Sequence, residues 1–203
     1  MCGIVGLFLK DKSLEPQLGG LLTDMLITMT DRGPDSAGIA IYGDRMAKTA
    51  KLTVQSPAPD ADFATLDQDL GEAIGAPVTL RKLDTHAVLE VPAAQLDAAR
   101  RAARALRPDL RIMSAGDAIE IYQEVGLPKD VARRFGLDRM QGTHGIGHTR
   151  LATESAVTTM GAHPFSTGAD QCLVHNGSLS NHNSLRRKLR HQGMQIETEN
   201  DTE

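Results

Sequence analysis

The region between residues 51 and 116 constrains the fold most, because six short segments follow one another there at regular spacing. Composition and periodicity predict strand, helix, strand, strand, helix and strand for KLTVQS, FATLDQDLGEAIG, TLRKLD, HAVLEV, AAQLDAARRAARALR and RIMSAG. This order is that of the split β-α-β, or ferredoxin-like, unit. We predict such a unit at 51–116. It could bind a small ligand, although packing or docking is the more common use of such a unit.

The flanking regions have the pattern of a larger α+β unit that this segment interrupts. Before it, strands are predicted at 3–9 and 37–44, with a helix between them whose leucines and methionines recur from Leu18 to Met29. After it, the sequence predicts short helices within 126–137, strand-like segments at 142–153 and 171–177, and a helix at 181–193. The last helix is basic, and we expect its charged face to be solvated.

Composition argues against several classes of function. The 203 residues suffice for one substantial core, and the net charge of −4 provides no basic field for binding nucleic acid. The apolar N-terminal stretch is too short to span a membrane and has no signal-peptide pattern, so we expect no membrane contact and a cytoplasmic location. Two distant cysteines without a Cys/His cluster at ligand spacing predict neither a disulfide nor a metal site.

Cys2 has two chemical interpretations. It precedes a glycine and a strand-like run in MCGIVGLF. A free cysteine can be a small, inert residue at the edge of a core. If Met1 is removed, however, Cys2 carries a thiol and a free α-amine, so that a nucleophile and a base are present on one residue. Cys2 alone does not decide between these interpretations.

Four stretches in other parts of the chain favour the second interpretation: MCGIVG (1–6), DRGPDSAG (31–38), GIGHTRLAT (145–153) and LVHNGSLSNHNSLR (173–186). In this order they resemble the class II glutamine amidotransferases, whose glutaminase domain has an N-terminal cysteine nucleophile. The resemblance covers roughly 1–44 and 142–203. It implies that 1–203 is one glutaminase domain with the four-layer αββα fold of the N-terminal-nucleophile hydrolases, interrupted by the ferredoxin-like insertion at 51–116.

The resemblance implies catalytic roles for three residues. Cys2 would be the nucleophile once Met1 is removed. Its own amine would be the base, because a reference pKa of about 7.7–8.0 suits an α-amine to take the thiol proton. Asn176 and Gly177 match the residues that form the oxyanion hole of the family. The alternative is that these two residues only form an ordinary Asn-Gly turn.

Four further residues match the substrate-binding positions of the family. Arg150 matches the arginine that pairs with the glutamine α-carboxylate, and Thr153 matches a supporting contact. Asp201 matches the acidic residue that receives the α-ammonium group, although an acidic, apolar-poor stretch of this kind is usually a frayed terminus. Arg32 matches an arginine that organises the nucleophile loop, and it either shapes the site or touches the substrate.

The remaining cysteine and three histidines are expected to be structural. His148, His163 and His175 could suggest a Cys–His pair, but the α-amine already supplies the base. Cys172 lies in an apolar strand-like segment and is expected to be inert.

Two features depart from the pattern of the family. Leu151 stands where several members have Trp, and Glu154 where some have His. In the family, the D-T-E stretch opens a helix, and further elements complete the four layers. We therefore expect the chain to be truncated at 203, as a fragment of a longer subunit.

The resemblance implies hydrolysis of glutamine to glutamate and ammonia through a γ-glutamyl thioester on Cys2, with no metal or organic cofactor. The ammonia would pass to a partner synthase, either a separate chain or sequence beyond residue 203, in a hetero-oligomer. The motifs and the insertion look most like the stand-alone subunits of glutamate synthase or N-methylglutamate synthase type complexes. The alternative is a non-catalytic binding or assembly subunit whose insertion senses a ligand or docks a partner.

Overall fold

The computed structural model describes residues 2–152, 157–194, 196, 198 and 200–202. The strands are β1 (Gly3–Phe8), β2 (Ser36–Tyr42), β3 (Thr49–Gln55), β4 (Thr79–Leu83), β5 (His86–Pro92), β6 (Arg111–Gly116), β7 (Ile119–Val125), β8 (His144–Arg150), β9 (Phe165–Gly168) and β10 (Gln171–Leu173). The helices are α1 (Leu18–Thr28), α2 (Pro59–Asp62), α3 (Leu66–Ile74), α4 (Leu96–Leu106), α5 (Pro128–Phe135) and α6 (His182–His191).

The first sheet contains the predicted N-terminal strand. Its order is β1-β8-β2-β7, and neighbouring strands are antiparallel. Helix α1 packs on β1 and β8, and its residues Leu18, Leu22 and Leu26 are fully buried because their spacing places them on one face. This packing fixes the two strands that lead to the candidate site.

The segment 51–116 forms a second sheet. Its order is β4-β5-β3-β6, and neighbouring strands are again antiparallel. Helices α3 and α4 pack against each other, and Leu66, Leu70, Ala99 and Ala103 are buried in the core that they form with this sheet. The six predicted segments are thus strands and helices in the predicted order. That they constitute an inserted ferredoxin-like unit stays a prediction.

Strand β7 is an element that the sequence analysis did not predict. Its sequence, IEIYQEV, is buried along nearly its whole length. It pairs with β2 at the edge of the first sheet and also contacts β6 and β3 of the second sheet. Strand β7 therefore joins the two sheets.

Glu120 of β7 forms a buried ion cluster at this junction. Its carboxylate accepts hydrogen bonds from Lys51 Nζ at 2.8 Å, from Arg81 Nη2 at 2.7 Å and from the Tyr122 hydroxyl. Burial alone would raise the pKa of Glu120, but the charges of Lys51 and Arg81 outweigh burial and hold that pKa below its usual range. The carboxylate therefore stays charged between the sheets.

We expect Glu120→Gln to lower the free energy of unfolding by about 3 kcal/mol, because it leaves the largely enclosed Lys51 ammonium, whose side chain is 14% exposed, without its counter-charge. Asp130→Asn is the matched control, since Asp130 pairs with Arg133 at 3.5 Å on the exposed face of α5. It should cost less than about 1 kcal/mol. Urea unfolding at neutral pH measures both values, and equal effects of the two substitutions would contradict a structural role for the cluster.

Strands β9 and β10 form a two-stranded antiparallel hairpin beside β6. Asp170, at its turn, accepts hydrogen bonds from the backbone N–H groups of Asp117, Ala118 and Ile119 at 2.9–3.0 Å. Burial would raise the pKa of Asp170, but these bonds outweigh burial and lower it. The hairpin is therefore anchored to the turn between β6 and β7.

The helices and antiparallel sheets together are compatible with an α+β fold. The four-layer αββα arrangement stays a prediction. None of the described helices has the length and apolar character needed to cross a membrane.

Candidate active site

Cys2 lies at the start of β1, where that strand meets the end of β8. The pairing of Gly3 with Thr149 brings Cys2 close to the residues that follow β8. The cysteine is partly exposed, and its Sγ lies 4.0 Å from the carbonyl oxygen of Leu151. The thiol thus lies where the motifs DRGPDSAG (31–38) and GIGHTRLAT (145–153) meet.

Arg32 and Asn176 hold the main chain of Cys2. The Cys2 carbonyl oxygen accepts hydrogen bonds from Arg32 Nε at 3.2 Å and from Asn176 Nδ2 at 3.0 Å. An amide nitrogen carries two hydrogens, so Asn176 retains one N–H beyond this bond. The structure brings both predicted residues to Cys2, where they contact its backbone.

The DRGPDSAG segment is held closely against the end of β8. A Cβ atom at Gly33 would lie 2.4 Å from the Thr149 carbonyl carbon, so only glycine permits this approach. Asp35 then fixes the segment, because its N–H donates to the Arg150 carbonyl at 3.1 Å and its carboxylate accepts from the Ala152 N–H at 2.8 Å. The sequence analysis quoted this motif but missed the positioning role of Asp35.

A cavity of about 360 Å³ opens beside Cys2. Four of the predicted residues line it: Cys2, Arg150, Gly177 and Asp201. Its wall also includes Leu151, His163, His175, Arg186, Asn200 and Thr202. Of the other three predicted residues, Arg32 and Asn176 are not among the residues that line it, and Thr153 lies outside the described residues. The volume lies within the usual range for small-molecule sites.

Arg150 is enclosed although it carries a charge. Only 6% of the residue is exposed. A Cβ atom at Gly161 would lie 2.8 Å from Arg150 Nη1, so the absence of a side chain at position 161 lets the main chain approach the guanidinium. A guanidinium that is held in this way and lines a cavity is suited to bind a carboxylate through two parallel hydrogen bonds.

Two buried histidines lie beside Arg150. The rings of His148 and His163 stack with their centroids 4.2 Å apart. His148 Nε2 lies 3.0 Å from the His175 carbonyl oxygen, which only accepts, so this nitrogen carries the proton. Burial, with a contribution from the Arg150 charge, lowers the pKa of His148 to about 4 and that of His163 to about 3. Both rings are therefore neutral at neutral pH and add no positive charge beside Arg150.

Asp201 and Thr202 form part of the cavity wall. Asp201 Oδ2 accepts a hydrogen bond from the Leu179 N–H at 2.6 Å, and its Oδ1 lies 3.9 Å from His175 Nδ1. Thr202 Oγ1 lies 2.8 Å from His163 Nε2 and 3.3 Å from His175 Nδ1. Asp201 and Thr202 are thus packed into the site, and the sequence analysis missed Thr202.

Helix α6 contributes Arg186 to the cavity. Its Nη2 donates to the Asn200 carbonyl at 3.1 Å. Arg187, Lys188 and Arg190 are exposed, as expected for a solvated face, but Arg186 is half-buried. The expectation of a wholly solvated basic face is therefore wrong at Arg186, because residue 200 lies against the helix.

Comparisons with known proteins bear on the family to which this chain belongs. The family described as a glutamine amidotransferase domain matches residues 137–203, a range that includes Arg150 and Asp201. Over all of its 203 residues the chain is 66% identical to the glutamine amidotransferase-like protein GlxB of Rhizobium meliloti, and it covers 67% of that protein. A putative glutamine amidotransferase of Methanothermobacter thermautotrophicus is 31% identical, with 100% of this chain and 70% of that protein covered. The chain belongs to the glutamine amidotransferase family.

This glutamine amidotransferase is also similar to a part of larger enzymes. The glutamine–fructose-6-phosphate aminotransferase (isomerizing) of Aeropyrum pernix is 43% identical over 84 residues, which cover 41% of this chain and 14% of that enzyme. Membership of the family supports an amidotransferase or glutaminase activity in general.

The second thiol of the amidotransferase has a different environment. Cys172 lies in β10, and its Sγ accepts a hydrogen bond from the Tyr42 hydroxyl at 3.4 Å. Burial raises the pKa of the Cys172 thiol, which disfavours the reactive thiolate. Cys172 is not among the residues that line the Cys2 cavity. In the described part of the chain, no group of three or more His, Cys, Asp or Glu side chains could hold a metal ion.

Proposed function

We propose that this glutamine amidotransferase is of class II and hydrolyses glutamine to glutamate and ammonia through a γ-glutamyl thioester on Cys2. One observation carries the proposal: Cys2, Arg150 and Asp201 line the same cavity. Glutamine requires a nucleophile at its side-chain amide, a cation at its α-carboxylate and an anion at its α-ammonium group. These three residues supply those groups.

The base in this proposal is the α-amine of Cys2 after removal of Met1. An α-amine titrates close to neutral pH, whereas the same nitrogen in a peptide bond with Met1 has no basicity. Among the described residues, no histidine is hydrogen-bonded to the Cys2 thiol, which instead lies 4.0 Å from the Leu151 carbonyl oxygen. This supports the α-amine over a Cys–His pair.

Substrate orientation follows from the two charged residues. The Arg150 guanidinium binds the α-carboxylate, and the neutral His148 and His163 add no second cation there. Asp201, which the Leu179 N–H holds in place, binds the α-ammonium group. Thr153 would support the α-carboxylate, as the resemblance implies. Glutamine bound in this way presents its side-chain amide to Cys2.

The reaction then has two steps. The Cys2 thiol gives its proton to the α-amine, and its sulfur forms a bond to the amide carbon of glutamine. The C–N bond breaks, and the proton held by the amine leaves with the nitrogen as ammonia. Water then adds to the thioester, the C–S bond breaks, and glutamate and the free thiol are released.

The negative oxygen formed in each step needs hydrogen-bond donors. Asn176 and Gly177 are proposed to supply them, through the remaining side-chain N–H of Asn176 and the backbone N–H of Gly177. The bond from Asn176 Nδ2 to the Cys2 carbonyl ties this donor to the nucleophile, and Arg32 positions the same carbonyl. Arg32 is thus proposed to be a positioning residue rather than a substrate ligand.

The ammonia is proposed to pass to an acceptor synthase of glutamate synthase or N-methylglutamate synthase type. That synthase would be a separate chain or lie beyond residue 203, and it would form a hetero-oligomer with this subunit. We propose that 51–116 is an inserted ferredoxin-like unit that docks the partner. The ion pairs of Glu120 with Lys51 and Arg81 support this role, because they connect the unit to β7.

Covalent labelling tests the proposal. A glutamine analogue that carries a reactive diazoketone in place of the amide should label Cys2, and free glutamine should protect against labelling. Cys172 is the internal control, because its thiol lies outside the cavity. Labelling of Cys172 alone, or labelling of Cys2 that glutamine does not slow, would contradict the proposal and favour a non-catalytic binding or assembly subunit.

A further inference from the structure

Glu124 of β7 is a buried carboxylate that joins three other parts of the chain, since only 7% of the residue is exposed. Its Oε1 accepts hydrogen bonds from the Thr159 hydroxyl at 2.6 Å and from the Val125 N–H at 2.9 Å. Its Oε2 accepts one from the Thr85 hydroxyl at 3.0 Å and lies 3.5 Å from Arg134 Nη1. Thr85 lies in the turn between β4 and β5, and Arg134 lies on α5. The carboxylate is therefore held between the second sheet, α5 and the segment that contains Thr159.

Thr159 begins a single turn of 3₁₀ helix, Thr159–Gly161, which lies against the wall of the Cys2 cavity. The turn ends at Gly161, where a Cβ atom would lie 2.8 Å from Arg150 Nη1. The Gly161 carbonyl accepts a hydrogen bond from Asn200 Nδ2 at 3.0 Å. Arg150 and Asn200 both line the cavity beside Cys2. The 159–161 turn therefore packs directly behind two residues of the cavity wall, and Glu124 holds its first residue.

The contacts of Glu124 continue on the other side into the β4–β5 turn. Arg134 Nε donates to Asp84 Oδ2 at 2.6 Å, so the residue before Thr85 is tied to Glu124 through Arg134. The Thr85 carbonyl in turn accepts a hydrogen bond from the Ser56 N–H at 2.9 Å, just after β3. A displacement of the β4–β5 turn would therefore change the bonds that Glu124 makes. This turn belongs to the unit for which we proposed a docking role.

Glu120, four residues earlier on β7, differs from Glu124 in what its contacts connect. Its carboxylate bonds to Lys51 and Arg81, which belong to the second sheet, and to Tyr122 of β7 itself. Those bonds anchor the second sheet to β7. The bonds of Glu124 extend this connection to the 159–161 turn, and charged hydrogen-bonded networks of this kind couple the positions of the groups that they join.

We propose that Glu124 is a positioning residue, which holds the 159–161 turn against Arg150 and so links the second sheet to binding of the glutamine α-carboxylate. This inference rests on the proposed function, in which Arg150 binds that carboxylate. A turn released from Glu124 occupies its native position for a smaller fraction of the time, so glutamine binds more weakly in proportion. The contacts that hold Cys2 come from other segments, so the chemical step keeps its rate. A partner that displaces the β4–β5 turn would change the affinity for glutamine by the same route.

Steady-state kinetics of glutamine hydrolysis by the full chain test this inference. Thr159→Val removes the hydroxyl that bonds to Glu124, and it should raise the KM for glutamine by about fivefold while kcat stays within about twofold of the native value. Thr85→Val removes the bond on the side of the second sheet and should raise the KM by about threefold. Because Thr159→Val already breaks the link between Glu124 and the turn, the double variant should have the KM of Thr159→Val alone. Thr159→Ser retains the hydroxyl and should keep the native KM.

Thr65→Val is the matched control, because the Thr65 hydroxyl also donates to a carboxylate, that of Asp69 at 2.9 Å, but lies outside the Cys2 cavity. It should keep the native KM, and thermal melting checks that every variant is folded.

Several results would overturn the inference and leave the proposed function standing. In one, the native chain hydrolyses glutamine and the Thr159→Val and Thr85→Val variants keep its KM or lose only kcat. In another, Thr65→Val raises the KM equally. In a third, the double variant shows the product of the two single effects, which means that the two bonds act independently. A native chain that does not hydrolyse glutamine overturns the proposed function and this inference together.

Discussion

Replacing Cys2 with alanine will reduce glutamine hydrolysis by at least about 10³-fold, because the substitution removes the nucleophile while the rest of the cavity remains. Alanine keeps the backbone carbonyl that Arg32 and Asn176 contact, so the site should stay assembled. Glutamate release by the purified chain measures the effect. Protection against thermal unfolding by glutamine should persist in this variant, which separates loss of chemistry from loss of binding.

Cys172→Ala is the control for this experiment. It removes the other thiol of the chain, which is hydrogen-bonded to Tyr42 and lies outside the cavity. Its rate should stay within about twofold of the native rate. Hydrolysis that continues at full rate in Cys2→Ala, or that fails only in Cys172→Ala, would show that Cys2 is not the nucleophile.

The second large effect is expected for Arg150→Lys. Lysine keeps the charge but loses the planar fork, so the KM for glutamine should rise by about tenfold to a hundredfold. 4-Aminobutanamide, which lacks the α-carboxylate, gives a more specific measurement. The native chain should prefer glutamine over this analogue in kcat/KM, and Arg150→Lys should lose most of that preference because the lost contact involves only the carboxylate.

Asp201→Asn should weaken the preference of the enzyme for substrates that carry an α-amino group. Glutaramate lacks the α-amino group of glutamine, and discrimination against it should depend on Asp201 rather than on Arg150. Arg186→Lys is the matched control, because Arg186 lines the same cavity but donates to the Asn200 carbonyl. Arg186→Lys should leave both preferences in place. If it removed the preference for the α-carboxylate and Arg150→Lys did not, the assignment of the carboxylate would be wrong.

Much of the secondary structure was predictable from the sequence. The segments of 51–116 carry clear periodicity, and the structure has strands and helices there in the predicted order. Strand β7 was missed although IEIYQEV is rich in strand-forming residues. Its polar residues become buried through partners distant in sequence, such as Lys51 and Arg81 for Glu120. Periodicity reports the burial of side chains along one element, not pairing across the chain.

The candidate site was predicted in part. Cys2, Arg150, Gly177 and Asp201 were all proposed from motifs, and the structure brings them to one cavity. The supporting contacts were not predictable, because they depend on tertiary geometry. Asp35 and Thr202 act through backbone and side-chain atoms more than twenty residues away in sequence.

The most direct test of the account is mass spectrometry of the chain quenched in acid during glutamine turnover. We predict that the active protein lacks Met1 and carries one γ-glutamyl group, which fragmentation locates on the Cys2 sulfur. The adduct should be absent from Cys2→Ala and from the native chain without glutamine. Active protein that retains Met1, or a γ-glutamyl group found on Cys172, would contradict the account.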